Sequence, residues 1–133
     1  MALALGVSKQ VIRKAVKNIP PVPGRFEKIE PPLKSSKVFK QICVLVDYAH
    51  TPDGLNNVLK TCRDMLKSQK KSGRLITVFG CGGDRDRGKR PLMAKVVKRY
   101  SDFGILTNDN PRFEDPHQIF RDTIQGIGRW KSF

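Results

Sequence analysis

The chain has 133 residues, with 26 Lys and Arg against 12 Asp and Glu, for a formal net charge of +14 at pH 7. That length suits one domain, or one domain plus part of another, burying roughly two-thirds of its unfolded surface. It contains no run near the roughly 20 apolar residues of a membrane span, no basic flank or apolar run of a secretory signal in its opening MALALGVSKQ, and no CxxC pair. Cys43, Cys62 and Cys81 are odd in number and widely spaced, which fits reduced thiols better than a disulfide frame or a zinc site.

In chain order, Ser8 is placed to cap a helix whose apolar residues Val11, Ile12, Ala15, Val16 and Ile19 follow the 3.6-residue period. Pro20, Pro21 and Pro23 end it. A helix this early, with an apolar face in need of a partner, reads as the tail of something preceding it. Residues 20–40 hold five prolines and several lysines and read as a linker leading into a first strand near 25–29. The run 42–46, Ile-Cys-Val-Leu-Val, is expected to be a strand covered on both faces. Asp53 is expected to cap the next helix, whose apolar side carries Leu55, Val58, Leu59, Cys62, Met65 and Leu66, and which ends in the lysine-rich segment 67–73. A strand over 75–79, a helix from Pro91, a strand over 103–107 and a helix from Pro116 follow. This alternation predicts an α/β fold, a Rossmann-like parallel sheet with flanking helices. Three strands make an incomplete sheet, and residues 126–133 show no element, so the chain is expected to be cut short at both ends.

The segment 75–91, LITVFGCGGDRDRGKRP, organises the rest. An apolar strand runs into Gly80, Gly82 and Gly83, where positive φ angles are expected, and then into alternating Asp and Arg. Loops at the carboxyl ends of parallel strands are where such folds place ligands. Two further strands end in polar loops, at Asp47-Tyr48-Ala49-His50 and at Asp109-Asn110-Pro111-Arg112. Three loops at one sheet edge form the expected site. Gly83 to Lys89 nearly matches a phosphate-binding loop, but Arg90 stands where such a loop needs a Ser or Thr, and Asp84 and Asp86 would repel phosphate. Arginines suit a carboxylate instead, which a guanidinium grips with two parallel hydrogen bonds; the plainer alternative is an Asp–Arg network that stiffens the loop. Asp47 at a strand end suits ribose hydroxyls, or equally a turn or helix cap. His50 and His117 have no partner at metal spacing. Asn110 and Arg112 offer donor, acceptor and a charged fork, a set that suits an amino acid; an ordinary Asn-Pro turn is the alternative. Glu114 and Asp115 suit a helix N-terminus. Cys81 reads as a small buried neighbour rather than a reactive thiol.

VPGRFE at 22–27, VDYAHTPDGL at 46–55, VFGCGGDRDRGKRPLM at 78–93 and TNDNPRFEDP at 107–116, in this order, resemble the Mur ligase family. The resemblance implies three domains: one for a UDP-sugar, a central ATPase, and a Rossmann-like C-terminal domain that brings in an amino acid. On that basis residues 1–23 are expected to be the tail and linker of the central domain, and 24–133 the first, truncated part of the C-terminal one. The long glycine–arginine motif points to members that add the third residue of the peptidoglycan stem peptide. The implied reaction is phosphorylation of the carboxylate of UDP-MurNAc-L-Ala-D-Glu by ATP with Mg²⁺, then attack on the acyl phosphate by the incoming amine. By motif, Arg25, Asp47 and His50 fall to the nucleotide, and Arg85, Asp109, Asn110 and Arg112 to the incoming amino acid. An Arg at the fourth place of the Asp-Asn-Pro-Arg motif goes with meso-diaminopimelate rather than lysine. The phosphate-binding loop, the Mg²⁺ ligands and the later glycine and glutamate of the pocket have no counterpart in this sequence, so no catalytic or metal residue is assigned. The remainder of a cytoplasmic ligase is the expected partner, and the chain alone is expected to be inactive. The competing expectation is a non-catalytic remnant serving as an interaction or nucleic-acid-binding module. The basic residues invite it, but they are spread along the chain without the aromatic interleaving of a binding module.

Overall fold

The structure, a computed structural model, describes residues 2–30, 42–68 and 73–128. Residues 31–40 of the expected linker, the lysine-rich segment after Ser68 up to residue 72 and the tail 129–133 lie outside the described residues. Contacts divide the chain into two compact units, Met1–Tyr48 and Ala49–Phe133.

The first unit contains a 3₁₀ turn (Ala2–Leu5), helix α1 (Lys9–Asn18) and strands β1 (Glu27–Ile29) and β2 (Val44–Val46). Ser8 caps α1 as its position suggests, its hydroxyl accepting from the Val11 N–H at 3.3 Å. Ile19 then turns extended ahead of Pro20, the conformation a following proline favours. Val11, Val16 and Ile19 remain exposed. β2 departs from the expected parallel sheet. It pairs antiparallel with β1, Glu27 opposite Val46 and Ile29 opposite Val44. Its flanks are not covered either: Ile42, Val44 and Val46 are exposed and only Leu45 is half-buried. An apolar run sets extended backbone, but which strand it pairs with depends on contacts distant in sequence.

The second unit alternates strand and helix as expected: α2 (Pro52–Ser68), β3 (Ile76–Phe79), α3 (Lys89–Tyr100), β4 (Phe103–Leu106) and α4 (Pro116–Ile124). β3 and β4 are parallel, from Ile76 opposite Phe103 to Phe79 opposite Leu106, and α3 is the crossover that parallel neighbours require. Local chemistry sets the helix starts. Thr51, not Asp53, caps α2, its hydroxyl accepting from Gly54 N–H at 3.1 Å, which leaves Asp53 to favour the helix dipole from the first turn. α3 starts two residues before Pro91, where Asp86 accepts from Gly88 N–H at 2.9 Å. Asp115 caps α4 by accepting from His117 N–H at 3.0 Å, with Pro116 in the first turn.

α3 packs against both α2 and α4, and the core gathers Leu55 and Leu59 of α2, Phe79 of β3, Cys81, Met93, Ala94 and Val97 of α3, Ile119 of α4 and Ile127. At the other end of the strand pair, Arg63 of α2 donates to the Tyr100 carbonyl and pairs with Asp102 at 3.1 Å. Asp102 also accepts from Leu75 N–H at 2.6 Å. The strands are covered on one face only. Thr77 and Phe79 are buried, whereas Ile76, Val78 and Ile105 are exposed, and Ile76 and Ile105 line an open apolar hollow with Phe103, Gly104, Leu106 and Phe120.

Gly126, just past the end of α4, sits against the backbone of Pro91 in the first turn of α3. A Cβ there would stand 1.9 Å from the Pro91 carbonyl oxygen, a clash with backbone that no side-chain rotation relieves. Gly126→Ala is expected to lower unfolding stability by roughly 2–3 kcal/mol, as core overpacking does. Gly88→Ala, whose Cβ would meet only the Asp86 carboxylate at 3.2 Å, should stay within about 0.5 kcal/mol. Urea denaturation of the two variants measures the contrast, and equal midpoints would remove the claimed contact.

Candidate functional site

Two loops leave the carboxyl ends of the parallel strands: a glycine loop after β3 and an Asp-Asn-Pro-Arg loop after β4. The ladder runs one step beyond the strands, with Thr107 N–H donating to the Phe79 carbonyl at 2.9 Å. The loops then close directly on one another. Gly83 N–H donates to the Asn110 carbonyl at 2.9 Å, and Arg112 Nη1 donates to the Gly83 carbonyl at 2.7 Å. Asp84 N–H donates to the Glu114 carboxylate at 2.5 Å, while Phe113 N–H donates to the Asp84 carboxylate at 3.2 Å.

This packing explains the glycines differently from the expectation of positive φ. Gly80, Gly82 and Gly83 are not left-handed; the left-handed residues of these loops are Asp84 and Arg112, both at φ 50°. Gly80 and Gly83 are needed because backbone lies against them, whereas the neighbour of Gly82 is the end of a flexible side chain. A Cβ on Gly83 would fall 1.8 Å from the Pro111 carbonyl oxygen, one on Gly80 2.8 Å from the Thr107 carbonyl oxygen, and one on Gly82 2.9 Å from Arg112 Nη1.

Beneath the loops lies a charge network. Arg90, on the first turn of α3, is 2 % exposed. It pairs with Glu114 at 2.7 Å and Asp122 at 2.8 Å and donates to the Gly82 carbonyl at 3.3 Å. Its Nε has no partner among the described residues. Asp122 on α4 also accepts from Arg87 at 2.9 Å and from Gln118 at 2.7 Å. The Arg87 hydrogen bonds, helped by Gln118 and Arg90, hold the Asp122 carboxyl far below the usual carboxylate range against the opposing effect of burial. The Arg90 hydrogen bond likewise lowers Glu114, with the Asp84 N–H adding to it. Burial pushes the Cys81 thiol up. Cys81 sits against the Met93 sulfur at 3.9 Å, a packing role, as its sequence position suggested.

The structure brings several sequence-predicted residues together. Asp109, Asn110 and Arg112 stand on one loop, and Arg85 follows Asp84 on the loop that touches it. Asn110 Oδ1 accepts from Arg112 N–H at 3.0 Å, which turns the chain at that point. Arg112 and Arg85 are both exposed, Arg112 with Nη2 and Nε beyond its single bond to Gly83, Arg85 with no partner among the described residues. Arg25 and Asp47 both lie in the first unit, each in contact with a chain neighbour of the other. The Arg25 guanidinium lies 4.8 Å from the centre of the Tyr48 ring, and Asp47 accepts from Phe26 N–H at 2.7 Å, holding Phe26 at φ 47°. His50 is exposed near the start of the second unit. Among the described residues no group of three His, Cys, Asp or Glu side chains is placed to hold a metal ion. Sequence reading missed the structural parts played by Arg90, Arg87, Glu114 and Asp122, although it raised an Asp–Arg network as an alternative.

Residues 24–132 match the family described as Mur ligase, glutamate ligase domain. The chain belongs to the Mur ligase family. It is 51% identical over 127 residues to the UDP-N-acetylmuramoyl-L-alanyl-D-glutamate–2,6-diaminopimelate ligase of Fusobacterium nucleatum, covering 96% of this chain and 24% of that protein. It is 48% identical over 128 residues to the ligase of the same name from Syntrophomonas wolfei, again 96% of this chain and 24% of the relative. A solved structure of a UDP-N-acetylmuramoyl-L-alanyl-D-glutamate–2,6-diaminopimelate ligase superposes with a TM-score of 0.62 at 46% identity, over 95% of this chain and 23% of that one. The chain thus spans about a quarter of the length of the Mur ligases it matches.

The network makes an acid-side prediction. Asp122 and Glu114 have folded pKa values below their unfolded ones of about 4. The stability they contribute is complete well above pH 4 and is lost as the pH falls through the folded values. Thermal melting should therefore weaken progressively below about pH 5. Asp122→Asn, less stable at neutral pH, should show a shallower acid decline; parallel wild-type and variant curves would place the acid sensitivity elsewhere.

Proposed function

We propose that this chain forms the amino-acid-receiving part of a cytoplasmic, ATP-dependent ligase that joins meso-diaminopimelate to UDP-MurNAc-L-Ala-D-Glu in peptidoglycan precursor synthesis. The names of the relatives support the reaction. The observation that carries the reading for this chain is Arg112, an exposed residue held at the contact of two strand-end loops by a bond from its Nη1 to the Gly83 carbonyl. In the reaction ATP phosphorylates the D-Glu carboxylate, the amine of diaminopimelate attacks the acyl carbon, and phosphate leaves. Mg²⁺ would serve the phosphoryl step, and no residue of this chain is assigned to it.

Diaminopimelate differs from lysine by one further carboxylate. Arg112 is the group proposed to grip it in a two-bond fork, and Arg85 supplies a second positive charge on the adjoining loop. Asp109 and Asn110 are proposed to face the ammonium and the remaining polar atoms, with Asn110 Oδ1 already accepting from the Arg112 backbone. A site that pairs a carboxylate with a guanidinium fork favours the ligand that carries the carboxylate over the analogue lacking it. Arg25 and Asp47 of the first unit are proposed to serve the nucleotide, Asp47 at the ribose, as is His50.

The test is a heteronuclear NMR titration of the 133-residue chain with meso-diaminopimelate and with L-lysine. Diaminopimelate should bind at least about tenfold more tightly, the scale of one charge-assisted hydrogen-bonded pair, and Arg112→Ala should erase the preference. Equal affinity for the two amino acids would sink the assignment. Incubated with ATP, Mg²⁺ and both substrates, the chain alone should form no ligated product.

A further inference from the structure

Arg90 is buried beneath the two loops, and its partners divide into two sets with different consequences. Asp122 belongs to α4, where Arg87 and Gln118 also hold it; this set fastens helix to helix. Glu114 and the Gly82 carbonyl belong to the loops themselves. The Glu114 oxygen that receives Arg90 Nη2 at 2.7 Å also receives the Asp84 N–H at 2.5 Å. Asp84 in turn receives the N–H of Phe113, the neighbour of Arg112. Both Asp84 and Arg112 are left-handed at φ 50°, a conformation that persists in such residues only when surroundings over-determine it. The Arg112 side chain rests on the Gly83 carbonyl at 2.7 Å, so its pose depends on how the glycine loop is held.

We propose that Arg90 is a positioning residue for substrate recognition: through Glu114 and Gly82 it holds both loops in the arrangement that fixes the Arg112 guanidinium for a substrate carboxylate. This rests on the reading of Arg112 as the carboxylate-binding group. It adds a cause for that group's preorganisation, which improves affinity by removing the ordering that binding would otherwise demand. Arg90 itself, 2 % exposed, does not touch the substrate. A purely structural Arg90 would make its two acidic partners equivalent, each variant lowering stability and neither altering recognition. A positioning Arg90 makes them different.

The experiment uses the full 133-residue chain, titrated by NMR with meso-diaminopimelate and L-lysine, with melting temperatures measured alongside. Glu114→Gln removes the charge of the loop-side acceptor and should weaken diaminopimelate binding by about fivefold or more while leaving lysine within about twofold, an ion pair having been exchanged for a hydrogen bond to a neutral amide. Asp122→Asn removes the charge and one acceptor of the helix-side link and should lower the melting temperature with diaminopimelate affinity within about twofold of wild type. Arg90→Lys, which keeps the charge but loses the fork, should follow Glu114→Gln. Wild-type diaminopimelate affinity in Glu114→Gln, or an equal loss in Asp122→Asn, would overturn the proposal. Arg112→Ala tells the two readings apart: unchanged binding there defeats the pocket assignment. The clamp is then judged by the Gly83 and Arg112 amide signals of Glu114→Gln and Arg90→Lys. These should shift while those of Leu59 and Val97 stay in place, and unshifted loop signals would overturn it.

Discussion

A guanidinium shut away from water must be surrounded by acceptors, and most of the second unit's loop architecture follows from meeting that demand at Arg90. Removing a cation from water costs several kcal/mol unless well-placed anions and hydrogen bonds compensate. Glu114, Asp122 and the Gly82 carbonyl supply them from three separate places in the chain. None can move far without leaving the charge unmatched. The α3 start, the glycine loop, the second loop and α4 are thereby tied to one atom group. The chain has a large basic excess, yet at this point two arginines face two carboxylates: Arg87 and Arg90 against Glu114 and Asp122. The local balance, rather than the net charge, governs this part of the structure, because exposed charges elsewhere are screened by solvent.

α3 is where the polar and apolar parts of the unit join. Met93, Ala94 and Val97 pack with Leu55, Leu59, Phe79 and Ile119, and one turn earlier the same helix side presents Arg90 to the loops. The non-directional apolar contacts set which elements pack, and the directional ion pairs set the register of the loops above them. Gly83 and Gly126 fit this division. Each sits where backbone meets backbone, at Pro111 and Pro91, and each lets the helix and loops approach closely enough for the ion pairs to form.

The helices were legible because their signals are local. Ser8, the Asp115-Pro116 pair and the apolar periods of α2 and α4 needed nothing from elsewhere in the chain. The pairing of β2 was not legible: Ile42 to Val46 states that a strand forms but not that β1 is its neighbour. The glycine loop was found for its motif, yet its glycines answer to Thr107, Pro111 and Arg112, roughly 30 residues away, and no local rule reports such distances. Arg90 left a trace that could have been followed. Residues 90, 93, 94 and 97 share the spacing of one helix face, as do 119, 122 and 123. An Arg on one buried stripe and an Asp on another are two misfits that explain each other. For the site residues, sequence placed Asp109, Asn110 and Arg112 on one loop. It could not show that Asn110 and Asp47 each hold a neighbouring backbone N–H.

Backbone strain falls in the same segments as the candidate ligand-binding residues. Among the described residues three non-glycine positions are left-handed, Phe26, Asp84 and Arg112. Each donates its own N–H to a side-chain oxygen: Phe26 to Asp47, Asp84 to Glu114 and Arg112 to Asn110. Such conformations cost on the order of 1–3 kcal/mol each. Hydrogen bonds to charged groups contribute roughly 1.5–3 kcal/mol, so the two carboxylate acceptors are large enough to hold their turns and the neutral Asn110 amide less so. Arg112 is then the least secured by its own turn, which is why its bond to Gly83 and the clamp through Glu114 matter most there. All three turns lie in segments proposed to bind ligand, beside Arg25, beside Arg85 and at Arg112 itself. Strain collected in those segments, each with its own side-chain brace, is what a fold produces when the direction of a few exposed arginines matters more than local stability.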